Sequence, residues 1–292
     1  MKPAPFAYHR PATLDEALAL LAEHGGDAKP LAGGQSLIPA MNFRLARPTT
    51  LVDLNRIGEL AYVREAPDGL RLGAMTRQRA AERSEAVERA APLVRETLPF
   101  VAHPQIRNRG TVGGSLAHAD PAAELPATFL ALDARFGARS RAGERWIAAG
   151  EFYTGLFATA LAPDELLADV LIPPLPPHTG WAFDEVSRRH GDYALAGAAT
   201  VVALDQAGRC ATVRIALLSV GDGPVLAREA AAALVGNAPT DEAIRAAAEA
   251  AADRDIDPPA DIHASAAYRR QLVRVLVRRT VTRAFARAAG TA

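Results

Sequence analysis

The sequence predicts a chain of mixed helices and strands in two parts, on three observations. At 292 residues it exceeds one average domain, so two domains are expected. Capped, amphipathic helix signals and alternating strand signals joined by turn residues both occur along it. Between the two parts stands Pro173-Pro174-Leu175-Pro176-Pro177, four prolines in five residues. Such a run stiffens the backbone and removes amide donors, so neither helix nor sheet continues through it. No fixed-period repeat and no long disordered tail complicates this plan.

The first element is a helix from Thr13. Thr13-Leu14-Asp15-Glu16 reads as a capping box, in which hydroxyl and carboxylate satisfy amides at the open end. Leu14, Leu18 and Leu21 share one face, and Gly25-Gly26 ends the run. Pro30-Leu31-Ala32 is a short apolar stretch entering a Gly33-Gly34 turn, and Leu51-Val52-Asp53-Leu54 reads as a buried strand. Pro67-Asp68-Gly69 joins two alternating runs between Tyr62 and Ala74 into a hairpin. Helix follows over 76–101 and loop chemistry over 103–119. Pro121 suits the first turn of a helix that buries Leu125, Phe129 and Leu132. A hairpin over 136–147 and a strand over 166–172 complete the first part. Beyond the prolines come strands near 181–187, 194–204 and 211–220, then three helices, the last over 264–288.

Hydrophobic residues make up 49% of the chain and charged residues 23%, ordinary for a globular protein able to bury a core without staples. Lys+Arg and Asp+Glu are 33 each, so the net charge is zero, and nucleic-acid binding, which leaves a basic footprint, has no support. Cys210 is the one cysteine; it rules out an internal disulfide and a cluster held by four thiolates of this chain, and suits a reducing compartment. No apolar run approaches the roughly 20 residues of a transmembrane segment, and the N-terminal residues lack the apolar stretch of a secretory signal. The expectation is a cytoplasmic protein whose only route to a membrane is through a partner.

Two segments stand out chemically: Leu31-Ala32-Gly33-Gly34-Gln35-Ser36-Leu37 and Gly110-Thr111-Val112-Gly113-Gly114-Ser115-Leu116-Ala117. Paired glycines permit unusual backbone angles and close approach by a ligand. Successive amides in such turns converge into an anion site, and adjacent hydroxyls add donors. Either segment alone is more economically read as a tight turn; brought together, the two fit opposite sides of a pyrophosphate. Neither is Gly-x-Gly-x-x-Gly at a strand-to-helix turn, and no Gly-Lys-Ser/Thr loop is present, so the Rossmann and phosphate-loop fingerprints are both absent.

Further residues make the pattern specific. Arg44-Leu45-Ala46-Arg47-Pro48 follows the first segment, and His118-Ala119-Asp120-Pro121-Ala122-Ala123-Glu124-Leu125-Pro126 follows the second. Arg188-Arg189-His190-Gly191-Asp192-Tyr193-Ala194 comes later. With these, the chain resembles the FAD-binding medium subunits of the xanthine dehydrogenase and carbon monoxide dehydrogenase family, from Phe6 to Val281. The resemblance implies an α+β fold like that of vanillyl-alcohol oxidase, with FAD extended between two subdomains. Together with the proline boundary it implies an FAD-binding domain over 1–175, with subdomains over 1–55 and 56–175, and a smaller C-terminal α+β domain over 178–288.

By the same resemblance, Ala32, Gly33, Gly34, Gln35, Ser36 and Leu37 line the diphosphate of FAD, and Thr111, Gly113, Gly114 and Ser115 belong to the other side of that clamp. His118, Asp120 and Glu124 lie along its ribityl and phosphate portions, Leu166 and Leu167 meet the adenine, and Tyr193 sits near the isoalloxazine ring. Read as residues alone, these keep other meanings. His118, Asp120 and Glu124 are metal-ligand types, although no second histidine stands nearby. Glu124 also suits the first turn of a helix. Leu166 and Leu167 fit strand core, Tyr193 a half-buried structural tyrosine, and Arg188 and Arg189 surface charge. His9, His24, His103 and His178 read as structural or exposed, and no catalytic triad or metal site is expected. Glu185 stands where certain relatives carry a lysine, so no positive charge is expected to reach the flavin from there.

The function implied is electron transfer. A large molybdenum-cofactor subunit hydroxylates the substrate and a small subunit with 2Fe–2S clusters relays the electrons. This chain passes them through FAD to an external acceptor such as a quinone, NAD or oxygen. Two other readings stand behind it: a free-standing flavin oxidoreductase of the same fold, for which no additional substrate domain is visible, and a cofactor-free scaffold, against which the intact glycines argue.

Overall fold

The computed structural model describes residues 1–290. Its first layer is a parallel sheet of β1 (Ala7–His9), β2 (Ala28–Leu31) and β3 (Thr50–Asp53), in the order β1-β3-β2. Between β1 and β2 runs α1 (Leu14–His24), whose Leu14, Leu18 and Leu21 bury against Val52, Leu54 and Leu166. Thr13 caps it, accepting from the Glu16 amide at 3.2 Å. The Glu16 carboxylate reaches back one residue further than an ideal capping box, to the Ala12 amide at 2.7 Å. The short α2 (Leu37–Asn42) follows the first glycine pair.

The hairpin of β4 (Val63–Ala66) and β5 (Gly69–Gly73) forms as expected around Pro67-Asp68. The helical stretch that follows is three helices: α3 (Gln78–Glu82), α4 (Glu85–Ala90) and α5 (Pro92–Thr97). The breaks carry their own chemistry. The Ser84 hydroxyl caps α4, and Pro92, which lacks an amide to donate, opens α5.

Residues 103–119 are not the loop that was expected. They contain α6 (Pro104–Arg107) and α7 (Val112–His118). Gly113 and Gly114 are poor helix formers, so α7 rests on bonds from outside itself. The Val112 amide donates to Thr76 O at 2.9 Å and the Gly113 amide to Ala74 O at 2.8 Å. Pro121 precedes α8 (Glu124–Ala131) rather than opening it, and its carbonyl accepts from the Ser219 amide at 2.8 Å. Every residue of α8 is buried.

Next come β6 (Arg135–Ser140), β7 (Gly143–Ala148), α9 (Ala149–Phe152), a small hairpin of β8 (Tyr153–Gly155) and β9 (Ala158–Thr159), and β10 (Leu166–Ile172). A five-stranded antiparallel sheet has the order β4-β5-β10-β6-β7. As its middle strand, β10 is buried at every residue, which accounts for its nearly unbroken apolar run. The exception, Asp169, is satisfied by the Tyr62 hydroxyl and by Arg139 at 3.1 Å.

Past the prolines, β11 (Thr179–Ser187), β12 (Ala194–Leu204), β13 (Cys210–Leu218) and β14 (Val225–Leu226) form an antiparallel sheet in that order. Three helices follow: α10 (Arg228–Leu234), α11 (Asp241–Asp253) and α12 (Ala266–Ala288). Strand alternation gives this sheet two apolar faces. Ala182, Ala198 and Leu217 pack with α12, whereas Phe183, Ala199, Ala216 and Leu218 join the cluster around α8. Glu96 of α5 adds a polar clasp, accepting from the Phe183 amide at 3.2 Å, from Arg283 at 3.3 Å and from Arg287. Among the described residues, no helix is long and apolar enough to cross a membrane.

Candidate functional site

The two glycine segments, far apart in sequence, interlock. A Cβ on Gly33 would run into the Arg109 carbonyl and stand 2.8 Å from Gly110 Cα. A Cβ on Gly113 would collide with Ala74, and one on Gly114 would lie 3.3 Å from the Ala32 methyl group. Glycine is required at positions 33 and 113 because backbone meets backbone, and at 114 because a Cβ would stand 2.6 Å from the Thr111 hydroxyl, before any ligand is considered. Gly34 differs, its φ of +73° being the constraint. Asn55 and Arg77 bolt the joint. Asn55 Nδ2 donates to Ala32 O at 2.9 Å, and the Arg77 guanidinium donates to Asn55 Oδ1 at 2.6 Å and to the Arg109 carbonyl.

Beside this joint opens a cleft of about 800 Å³, within the range of a cofactor site. All sixteen residues singled out from the sequence line it: Ala32 to Leu37, Thr111, Gly113, Gly114, Ser115, His118, Asp120, Glu124, Leu166, Leu167 and Tyr193. Their environments differ. The Ser36 hydroxyl caps no amide of α2, whereas the Thr111 hydroxyl accepts from the Gly114 amide at 3.0 Å. Leu166 and Leu167 are each only 4% exposed, while Tyr193 is 67% exposed rather than half-buried. Glu185 does not line the cleft. It sits on the Phe183 face of β11, and its buried Oε2 meets no donor among the described residues.

The charges suit an anionic ligand. Four carboxylates line the cleft besides its amides; two are ion-paired, one is held toward its neutral form, and Asp120 keeps its charge. Burial, reinforced by the Asp120 charge, holds the Glu124 carboxyl above the ordinary glutamate range and so favours its neutral form. Glu165 is paired with Arg145 at 2.7 Å, Asp192 with Arg188 at 3.1 Å, and Asp120 accepts from the Ala122 amide at 2.9 Å. Burial pushes the His118 pKa down, leaving a neutral imidazole near Lys29. Among the described residues there is no group of three or more His, Cys, Asp or Glu side chains arranged to hold a metal ion.

Several lining residues escaped the sequence reading: Lys29, Gln78, His103 and Phe157. Lys29 carried a usable signal, since this arginine-rich chain has lysine only at positions 2 and 29. Gln78 contributes a buried Oε1 with no hydrogen-bond partner among the described residues. His103 is exposed, as expected, but lies at the cleft with its ring 6.1 Å from that of His190. Nothing local to Phe157 marks it in sequence.

The fold and the cleft fit a protein that holds an anionic cofactor beside two interlocked glycine turns. A family model described as the FAD binding domain in molybdopterin dehydrogenase matches residues 4–175, and one described as the CO dehydrogenase flavoprotein C-terminal domain matches 181–284. The chain is 46% identical to the alpha subunit of the 6-hydroxypseudooxynicotine dehydrogenase complex of Paenarthrobacter nicotinovorans, over 100% of this chain and 98% of that one. It is 42% identical to the carbon monoxide dehydrogenase medium chain of Afipia carboxidovorans, over 99% of each. Among solved structures, carbon monoxide dehydrogenase from Hydrogenophaga pseudoflava superposes with a TM-score of 0.95 at 40% identity, covering 98% of this chain and 99% of that one. Quinoline 2-oxidoreductase from Pseudomonas putida 86 gives 0.92 at 39% identity, covering 100% and 99%. The chain belongs to the FAD-binding medium subunits of the molybdenum hydroxylases, and FAD is its cofactor.

Proposed function

We propose that this chain is the electron-transfer subunit of its complex. Electrons from substrate hydroxylation on a large molybdenum-cofactor subunit arrive through 2Fe–2S clusters on a small subunit and leave to an external acceptor. The observation that carries the reading is the interlock of two glycine segments beside one cleft, where Glu165 and Asp192 are ion-paired and Glu124 is held toward its neutral form. Bound FAD supplies the redox chemistry, exchanging electrons singly with clusters and in pairs with a two-electron acceptor.

The chain's own task is to hold and orient. Ala32 to Leu37 on one side, and Thr111, Gly113, Gly114 and Ser115 on the other, grip the diphosphate through backbone amides and the Ser36, Thr111 and Ser115 hydroxyls. Lys29 adds positive charge. His118, Asp120 and Glu124 flank the ribityl and phosphate portions, Leu166 and Leu167 floor the adenine site, and Tyr193 covers the isoalloxazine ring. On this reading an FAD-binding domain occupies 1–175, with subdomains over 1–55 and 56–175, and a C-terminal domain 178–288 closes the flavin side.

Anaerobic reduction of the assembled complex tests the relay. Substrate should bleach the flavin absorption when the 2Fe–2S subunit is present and leave it unchanged when that subunit is omitted. Flavin reduction by substrate in the isolated chain would overturn the proposal.

A further inference from the structure

We propose that Phe157 is the platform on which the adenine ring of FAD stacks, with the His118 imidazole between it and the phosphates. This deepens the cofactor reading above and rests on it. Phe157 lies in the connection of the β8–β9 hairpin, between Gly155 and Ala158. Its φ of 54° is in the left-handed region, which costs a residue with a Cβ roughly 1–2 kcal/mol. The residue is also 54% exposed. Glycine at this position would relieve the strained backbone and remove the wet apolar ring together. A feature unfavourable on both counts points to a ligand that makes use of it.

The surroundings indicate which ligand. The neighbouring Leu156 is similarly exposed yet does not line the cleft, so the turn presents one of its two apolar residues to the site. The His118 ring centroid lies 5.3 Å from that of Phe157, with the planes tilted by 47°. Burial keeps that imidazole neutral, so it extends the aromatic wall without adding charge. Leu166 and Leu167, which the resemblance assigns to the adenine, are too buried to offer a base much surface. Phe157 supplies what they lack. A purine is flat and apolar on its faces, and such bases stack on aromatic side chains wherever a free ring face is available.

The test is flavin titration of the flavin-stripped full chain, with ADP as competitor, for wild type, F157A, F157G and F157W. F157A and F157G should each raise the FAD Kd roughly five- to a hundredfold, the range expected for losing one base–aromatic stack. F157W should hold wild-type affinity. ADP should lose the same factor as FAD, because both carry the adenosine half. F157G should unfold at the same temperature as wild type or higher, which a purely structural role for the ring would not allow. Wild-type FAD affinity in F157A and F157G would overturn the proposal, as would weakened FAD binding with ADP unaffected. A wild-type chain that retains no FAD would instead refute the cofactor site itself.

Discussion

The first glycine segment lies near the surface, with Ser36 exposed, its hydroxyl uncommitted to α2, and Gly34 held only by its own backbone angle. The second is driven into the core. Thr111 is 2% exposed and caps its helix, and the amides of Val112 and Gly113 are bound to the chain between β5 and α3. The two look alike as sequence and are built in opposite ways, one as a presented edge and the other as a wedge. Beyond Gly33, which is locked against the Arg109 carbonyl, one side of the clamp is therefore free to adjust to a ligand, and the other fixes where that ligand must lie.

Substitutions can break this comparison, and the largest effect belongs to the wedge. Gly113→Ala forces a methyl group into Ala74. Overpacking typically costs about 1–3 kcal/mol, so the melting temperature should fall by on the order of 5–10 °C. Gly34→Ala meets only the Ile38 and Leu31 side chains, at 3.2 and 3.4 Å, and carries mainly the penalty of its φ, about 1 kcal/mol. Equal losses of melting temperature in the two variants would erase the distinction.

The wedge also leads into a buried acid, whereas the edge does not. The Glu124 carboxyl has a raised pKa in the folded chain, so between its ordinary value of 4.5 and that raised value the folded state holds the proton more tightly than the unfolded one. Stability from this group is therefore intact at low pH and lost as pH rises through that window. Glu124→Gln should unfold at a higher denaturant midpoint than wild type above neutrality and match it near pH 4. A difference that grows toward acid would contradict the assignment.

The smallest effects are the sharpest. Thr111→Val removes the cap on the Gly114 amide and should cost about 1 kcal/mol in denaturant unfolding. Ser36→Ala removes no such bond and should leave stability within about 0.5 kcal/mol while weakening FAD, measured by titration, about tenfold. Reversal of that pattern would exchange the roles of the two segments.

Elements whose cause is local were legible from the residues. Thr13 and Glu16 announce α1, Pro67-Asp68-Gly69 the β4–β5 turn, and the apolar run at 166–172 a buried strand. What stayed hidden depends on distant partners. Two glycines argue against a helix at 112–118, and only the carbonyls of Ala74 and Thr76 reveal why it holds. In the site, motif residues were readable because their spacing is specific. Phe157 was not, since a left-handed phenylalanine carries no signature in its neighbours, and its proximity to His118 exists only after folding.

The Glu96 clasp bears on how the polypeptide holds itself together. It draws an amide of β11 and two guanidinium groups of α12 onto α5, while Phe183, Ala199, Ala216 and Leu218 fill the adjoining apolar seam. The covalent link through residues 173–177 is thus mechanically redundant. A protease nick within it should yield two pieces that still migrate as one particle.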